Sequence, residues 1–81
     1  MNKTEILAKL SDMLEEYFEI PKDKITLQAN LYMDLDLDSI DAVDLIVKLQ
    51  ELTQKKIAPE EFREVRTVGD VVEKVYGLFN Q

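Results

Sequence analysis

Residues 33–46 read MDLDLDSIDAVDLI. Five aspartates, Asp34, Asp36, Asp38, Asp41 and Asp44, surround one serine, Ser39, with no lysine or arginine between them. Like charges so close together repel, so the segment gives up stability for some other end. From Ser39 onward Ile40, Val43, Ile46, Val47 and Leu49 recur at helical spacing, with Leu45 beside them. A helix is therefore expected from about Ser39 to Leu52. Residues 21–38 before it hold no clean period. Ile25, Leu27, Leu31 and Leu35 are spaced apolar anchors there. They predict a long ordered loop, a feature that is unusual in a compact domain and often functional.

The flanks predict three more helices. Residues 3–18 carry Ile6, Leu7, Leu10, Met13, Leu14, Tyr17 and Phe18 at helical spacing. Asn2 and Glu5 have the spacing of a capping box at its start. Ile20-Pro21 ends the pattern, because proline disfavours helix at the residue before it. After the second helix come Lys55 and Lys56, cations suited to a helix C-terminus. The run from Ile57 to Glu64, IAPEEFRE, predicts a short third helix with proline at its first position. Thr67 caps a last helix from Val68 to about Phe79, with Asp70 three residues on. Its apolar stripe is Val68, Val71, Val72, Val75, Tyr76 and Phe79, and Gly69 and Gly77 sit near its ends. No alternating run is bounded by hairpin turns. The expectation is an all-α, four-helix bundle forming a single domain over residues 1–81, with a long loop between helices one and two.

Composition narrows the chemistry. The 81 residues contain no Cys, which excludes a disulfide scaffold, a thiol enzyme and a cysteine zinc site. They contain no His, which removes the usual general base and the Ser-His-Asp route to a nucleophilic serine. The net charge of −7 disfavours nucleic acid and favours partners with basic surfaces. The N-terminal residues carry acids through their apolar stretch, unlike a secretion signal, and no apolar run reaches membrane-spanning length. A cytoplasmic monomer with no membrane insertion is expected.

Ser39 lies where the loop meets the second helix. Its plainest role is a helix N-cap, which either Asp38 or Ser39 could fill. Asp38 and Asp41 would then suit the positive end of the helix dipole, each by roughly 0.3–1 kcal/mol. Asp34, Asp36 and Asp44 lie outside that explanation. Ile40, Val43 and Val47 share a face beside the acidic row, while Leu45, Ile46 and Leu49 face the core. An acidic rim around a small apolar patch describes a docking surface. Calcium is a poor fit. A loop opening at Asp34 needs Gly at its sixth position and Glu at its twelfth, where Ser39 and Leu45 stand. A hydrolase serine lacks its base and its G-x-S-x-G elbow. What remains is a serine that another protein modifies, at a helix start that favours a phosphate. An unmodified acidic interaction module and a regulatory phosphoserine site are the competing classes.

The run from Leu35 to Leu45, LDLDSIDAVDL, resembles the attachment motif of acyl carrier proteins, usually D-S-L followed by an acidic helix. The first helix, the long loop, the short Ile-Ala-Pro-Glu-Glu helix and the Thr-Val start of the last helix also fall where that family has them. The resemblance implies that Ser39 is esterified to 4′-phosphopantetheine by a phosphopantetheinyl transferase, from coenzyme A. The thiol of that arm would carry acyl groups as thioesters, so the chain itself would be no enzyme and would need neither cysteine nor metal. It implies that Asp38, Asp41 and Asp44, with Ile40, Val43 and Val47, dock on basic patches of the transferase and of acyl-building enzymes. It also implies that an acyl chain can tuck in near Leu49, Ile57, Phe62 and Val65. A peptidyl or aminoacyl carrier is the runner-up, but its Gly-Gly-x-Ser type motif is absent. Some positions depart from the common pattern of fatty-acid carriers. Asp36 stands where Gly is frequent, Ile40 replaces Leu, and Lys48, Gln50 and Leu52 occupy often-acidic positions. Thr53 stands where Phe is frequent. These departures predict a dedicated carrier, for polyketide, aryl-polyene or similar synthesis. Phe62 stands where a small residue is common. A Phe there either fills part of the acyl space, favouring short or planar acyl groups, or simply packs in the core.

Overall fold

The computed structural model describes residues 1–79, so the last two residues of the expected domain lie outside the described residues. Two reciprocal capping boxes start the first two helices. Asn2 accepts the Glu5 N–H at 2.8 Å and Glu5 accepts the Asn2 N–H at 3.2 Å, opening α1 (Lys3–Phe18). Asp38 and Asp41 make the same exchange at the start of α2 (Ser39–Thr53). A third exchange, between Thr67 and Asp70, opens α3 (Val68–Phe79). Each satisfies N–H groups that a helix start leaves without partners. Glu19 and Gln54 adopt left-handed conformations and close α1 and α2.

Among the described residues the fold is all-helical, with three α-helices rather than the expected four. The run predicted as the third helix is a 3₁₀ turn over Pro59–Phe62. Its bonds span three residues, Glu61 N–H to Ala58 O and Arg63 N–H to Glu60 O. Proline supplies no N–H, and the run is held at both ends by buried Ile57 and Val65. So short a stretch closes tight turns more readily than it propagates an α-helix.

One stripe of each helix meets in the core. Ile6, Leu10 and Leu14 come from α1, Leu45, Ile46 and Leu49 from α2, and Val68, Val71, Val72, Val75 and Leu78 from α3. Tyr17, expected in the α1 stripe, is 55% exposed at the edge of that stripe. The residues between α1 and α2 contain a 3₁₀ turn, Lys22–Lys24, and are anchored by buried Ile20, Ile25, Ala29, Leu31, Leu35 and Leu37. Leu27, expected among the anchors, is 46% exposed. Its carbonyl serves instead, accepting the Gly69 N–H at 2.9 Å. Two further backbone bonds, Leu31 N–H to Arg66 O and Val68 N–H to Ala29 O, flank an isolated bridge between Asn30 and Thr67. They tie the loop to the start of α3. No strand occurs among the described residues beyond this bridge.

Candidate functional site

The start of α2 resolves the choice between Asp38 and Ser39 as its cap. Asp38 is extended and its carboxylate accepts the Asp41 N–H at 2.8 Å, while the Asp41 carboxylate accepts the Asp38 N–H at 3.2 Å. Ser39 is the first residue inside the helix and is exposed. Its hydroxyl is therefore not needed to start the helix. The N–H groups of Ser39 and Ile40 have no acceptor within the helix, as at any helix start. They and the dipole of a 15-residue helix favour an anion attached at this hydroxyl.

The other aspartates each have local work. The Asp34 carboxylate accepts the Asn30 N–H at 2.7 Å. The Asn30 side chain in turn accepts the N–H groups of Tyr32 and Met33, both at 2.9 Å. Together they hold the turn that leads toward Ser39. Asp36 sits at a φ of 57°, a left-handed conformation that Asp tolerates better than most residues. Asp44 lies 3.5 Å from the Lys48 ammonium, one helical turn on. The sequence offers Asp38 as a cap and Asp38 and Asp41 as partners of the helix dipole, but gives Asp34 no local role. Three of the five hold backbone N–H groups, which offsets part of the cost of their repulsion. Among the described residues, no group of three or more acids converges on a point that could hold a metal ion.

Next to Ser39, α2 presents an exposed apolar patch. Ile40 is 78% exposed, Val43 53% and Val47 44%. With Ser39, Asp41 and Asp44 they line one shallow, open depression on the helix surface. Asp38 flanks it at the cap. The structure thus brings together the attachment candidate and all six docking candidates. The four acyl-pocket candidates are placed elsewhere. Leu49, Ile57, Phe62 and Val65 are all buried in the common core. The Gln50 side chain clamps the same region by accepting the Ile57 N–H at 2.8 Å.

Lys48, which the sequence marks as a cation at an often-acidic position, has a second contact at this face that the sequence does not show. The Lys48 ammonium contacts Asp44 and also lies 4.2 Å from the centre of the Tyr17 ring on α1. Its four-residue spacing from Asp44 was readable, but its contact with Tyr17 depends on how α1 packs against α2.

Comparison with known proteins shows the family. Residues 8–75 match the family described as the phosphopantetheine attachment site. The chain is 53% identical over 78 residues to "Acyl carrier protein 2" of Ralstonia nicotianae, covering 96% of each protein. It is 40% identical over 75 residues to the acyl carrier protein of Lactobacillus johnsonii, covering 93% of this chain and 94% of that one. Its fold superposes on a solved structure of the acyl carrier protein from Enterococcus faecalis with a TM-score of 0.78 at 28% identity, covering 95% and 98% of the two chains. A carrier domain that bears a phosphopantetheine group is thus the class that fold and sequence define. This chain belongs to the acyl carrier protein family. Members of that family are carriers rather than enzymes, and they work with a phosphopantetheinyl transferase and with biosynthetic enzymes.

Proposed function

We propose that Ser39 is the attachment residue, and that the chain carries acyl intermediates for a dedicated biosynthetic pathway. The observation that carries this reading is the division of labour at the start of α2. Asp38 caps the helix, which leaves the Ser39 hydroxyl exposed and available for modification. In the loading reaction the Ser39 oxygen attacks the phosphorus of coenzyme A that bears the pantetheine arm. The pyrophosphate bond breaks, adenosine 3′,5′-bisphosphate leaves, and the transferase takes up the hydroxyl proton. The bound group supplies the thiol that the cysteine-free chain lacks. The chain's own residues hold the ester at a helix start and present a docking face beside it. Ile40, Val43 and Val47 offer apolar contact, while Asp38, Asp41 and Asp44 steer partners with basic patches. A small, charge-steered face suits a cytoplasmic monomer that must leave each enzyme quickly.

The same reading sends the acyl chain toward Leu49, Ile57, Phe62 and Val65. These side chains are packed, so a chain enters only by displacing them. Phe62 is the bulkiest of the four, and it restricts entry to short or planar groups. Dedication to one pathway rests on the departures at Asp36, Ile40, Lys48, Gln50, Leu52 and Thr53. Fragmentation of the loaded protein tests the attachment: the added mass is expected on the peptide containing Ser39. Location of the added mass on any other hydroxyl would overturn the assignment.

A further inference from the structure

Among the described residues one polar side chain is buried. Thr53 is 4% exposed at the end of α2, in a core that is otherwise hydrocarbon. It stands one helical turn beyond Leu49, on the core line of the same helix. The Gln50 side chain, accepting the Ile57 N–H at 2.8 Å, folds the chain back at this same turn. Thr53 therefore sits at the end of α2 where Leu49 and Ile57, two of the residues proposed to line the acyl space, are also buried. Its hydroxyl oxygen accepts the Lys55 N–H at 3.2 Å, a local bond that helps to close the helix. That role uses one lone pair. The hydroxyl proton reaches no acceptor among the described residues. A hydroxyl is a donor as well as an acceptor, and a buried donor without an acceptor costs free energy. Closing the helix leaves that proton unexplained.

We propose that Thr53 makes this carrier selective for acyl chains that bear a keto oxygen beyond the thioester. This rests on the reading of Ser39 as the attachment residue and of the core beside Leu49 as the acyl space. Thr53 lies roughly 21 Å along α2 from Ser39, at about 1.5 Å per residue. The arm must run that length first, so the group that arrives at Thr53 is the acyl chain. A keto oxygen accepts the idle proton and brings no donor of its own. A saturated chain leaves the donor unpaired. A chain hydroxyl adds a second donor where the side chains of Leu49, Ile57, Phe62 and Val65 offer no acceptor. An apolar space with one placed polar group selects in this way, because a ligand lacking the matching atom leaves that group unpaired. A short keto chain, planar in its enol form, also meets the limit proposed for Phe62.

The test uses the full chain loaded with arms that end in a hexanoyl or a 3-oxohexanoyl group. Each group is joined through an amide so that neither hydrolyses, and loading is verified by mass. Hydrogen exchange at the Ile57 amide is read by NMR in the native protein, in Thr53→Val, which keeps the shape and drops the hydroxyl, and in Thr53→Ser, which keeps the hydroxyl. In the native protein the keto chain is expected to slow exchange roughly fivefold relative to the saturated chain, the effect of about one hydrogen bond. Thr53→Ser should retain that difference and Thr53→Val should lose it. Should Thr53→Val fail to fold, the native comparison and Thr53→Ser still decide. Equal exchange with the two chains in the native protein, or a difference that survives in folded Thr53→Val, would overturn the proposal. Failure of Ser39 to accept the arm shows separately, as absence of the added mass.

Discussion

Asp38 and Asp41 hold each other's backbone across the first turn of α2, each carboxylate accepting the other's N–H, at 2.8 Å and 3.2 Å. Two charges that the family resemblance assigns to partner docking thus also build the helix that presents Ser39. Substitution at position 38 separates the two roles. Asn keeps a capping oxygen and drops the charge, whereas Ala removes both. Asp38→Ala is expected to destabilise the protein by about 0.5–2 kcal/mol in urea denaturation, with Asp38→Asn close to native. Both should be loaded more slowly by the transferase at low salt. Equal stability of Asp38→Ala and the native chain would show that the cap contributes nothing.

The two glycines of α3 are expected to respond in opposite directions to alanine. A Cβ at Gly69 would lie 3.0 Å from the Leu27 carbonyl oxygen, which already accepts the Gly69 N–H. That approach joins the loop to α3, and crowding it costs about 1–3 kcal/mol, more than helix propensity returns. A Cβ at Gly77 meets nothing within 4 Å, so Gly77→Ala gains roughly 0.5–1 kcal/mol. Thermal melts of the two variants decide this, and a stabilised Gly69→Ala would mean that the loop yields freely.

These elements also show what was legible in the sequence. The three α-helices were readable because a stripe and a capping residue mark each of them locally, although the reciprocal box between Asp38 and Asp41 emerges only in the structure. The exposed patch beside Ser39 was readable because an apolar row beside acids departs from the core pattern of the same helix. The 3₁₀ turn was not, since apolar spacing over eight residues does not distinguish i+3 from i+4 bonding. The exposure of Leu27 and Tyr17 was not either. Whether an apolar residue at the edge of a stripe is covered depends on long-range packing, here the Asn30–Thr67 bridge and the placement of Lys48 over Tyr17.

Asp70 gives stability a specific pH dependence. The N–H groups of Arg66 and Thr67 donate to its carboxylate at 3.0 and 3.1 Å and hold its pKa below the ordinary 3.8. A depressed carboxylate contributes fully above its unfolded pKa. The contribution is lost as pH falls through the lowered folded value. The stability difference between the native protein and Asp70→Asn should therefore be largest near neutrality and shrink below about pH 4. A difference that stays constant into acid would assign it to geometry alone.

Under the proposed reading, Phe62 limits acyl length. Amide shifts of short- and long-chain acyl forms, recorded by NMR, should differ little around Phe62, because the packed ring keeps a long chain out. Phe62→Ala is expected to open that space and to cost about 3–5 kcal/mol of stability. Large shifts at Leu49, Ile57 and Phe62 in the native protein with a long chain would refute the restriction.

The most direct test of the carrier assignment is intact mass after incubation with coenzyme A and a promiscuous phosphopantetheinyl transferase, beside a Ser39→Ala control of matching circular dichroism. The account predicts a gain of one phosphopantetheine in the native protein and none in the control. No gain in a folded native protein, or an equal gain in both, would contradict it.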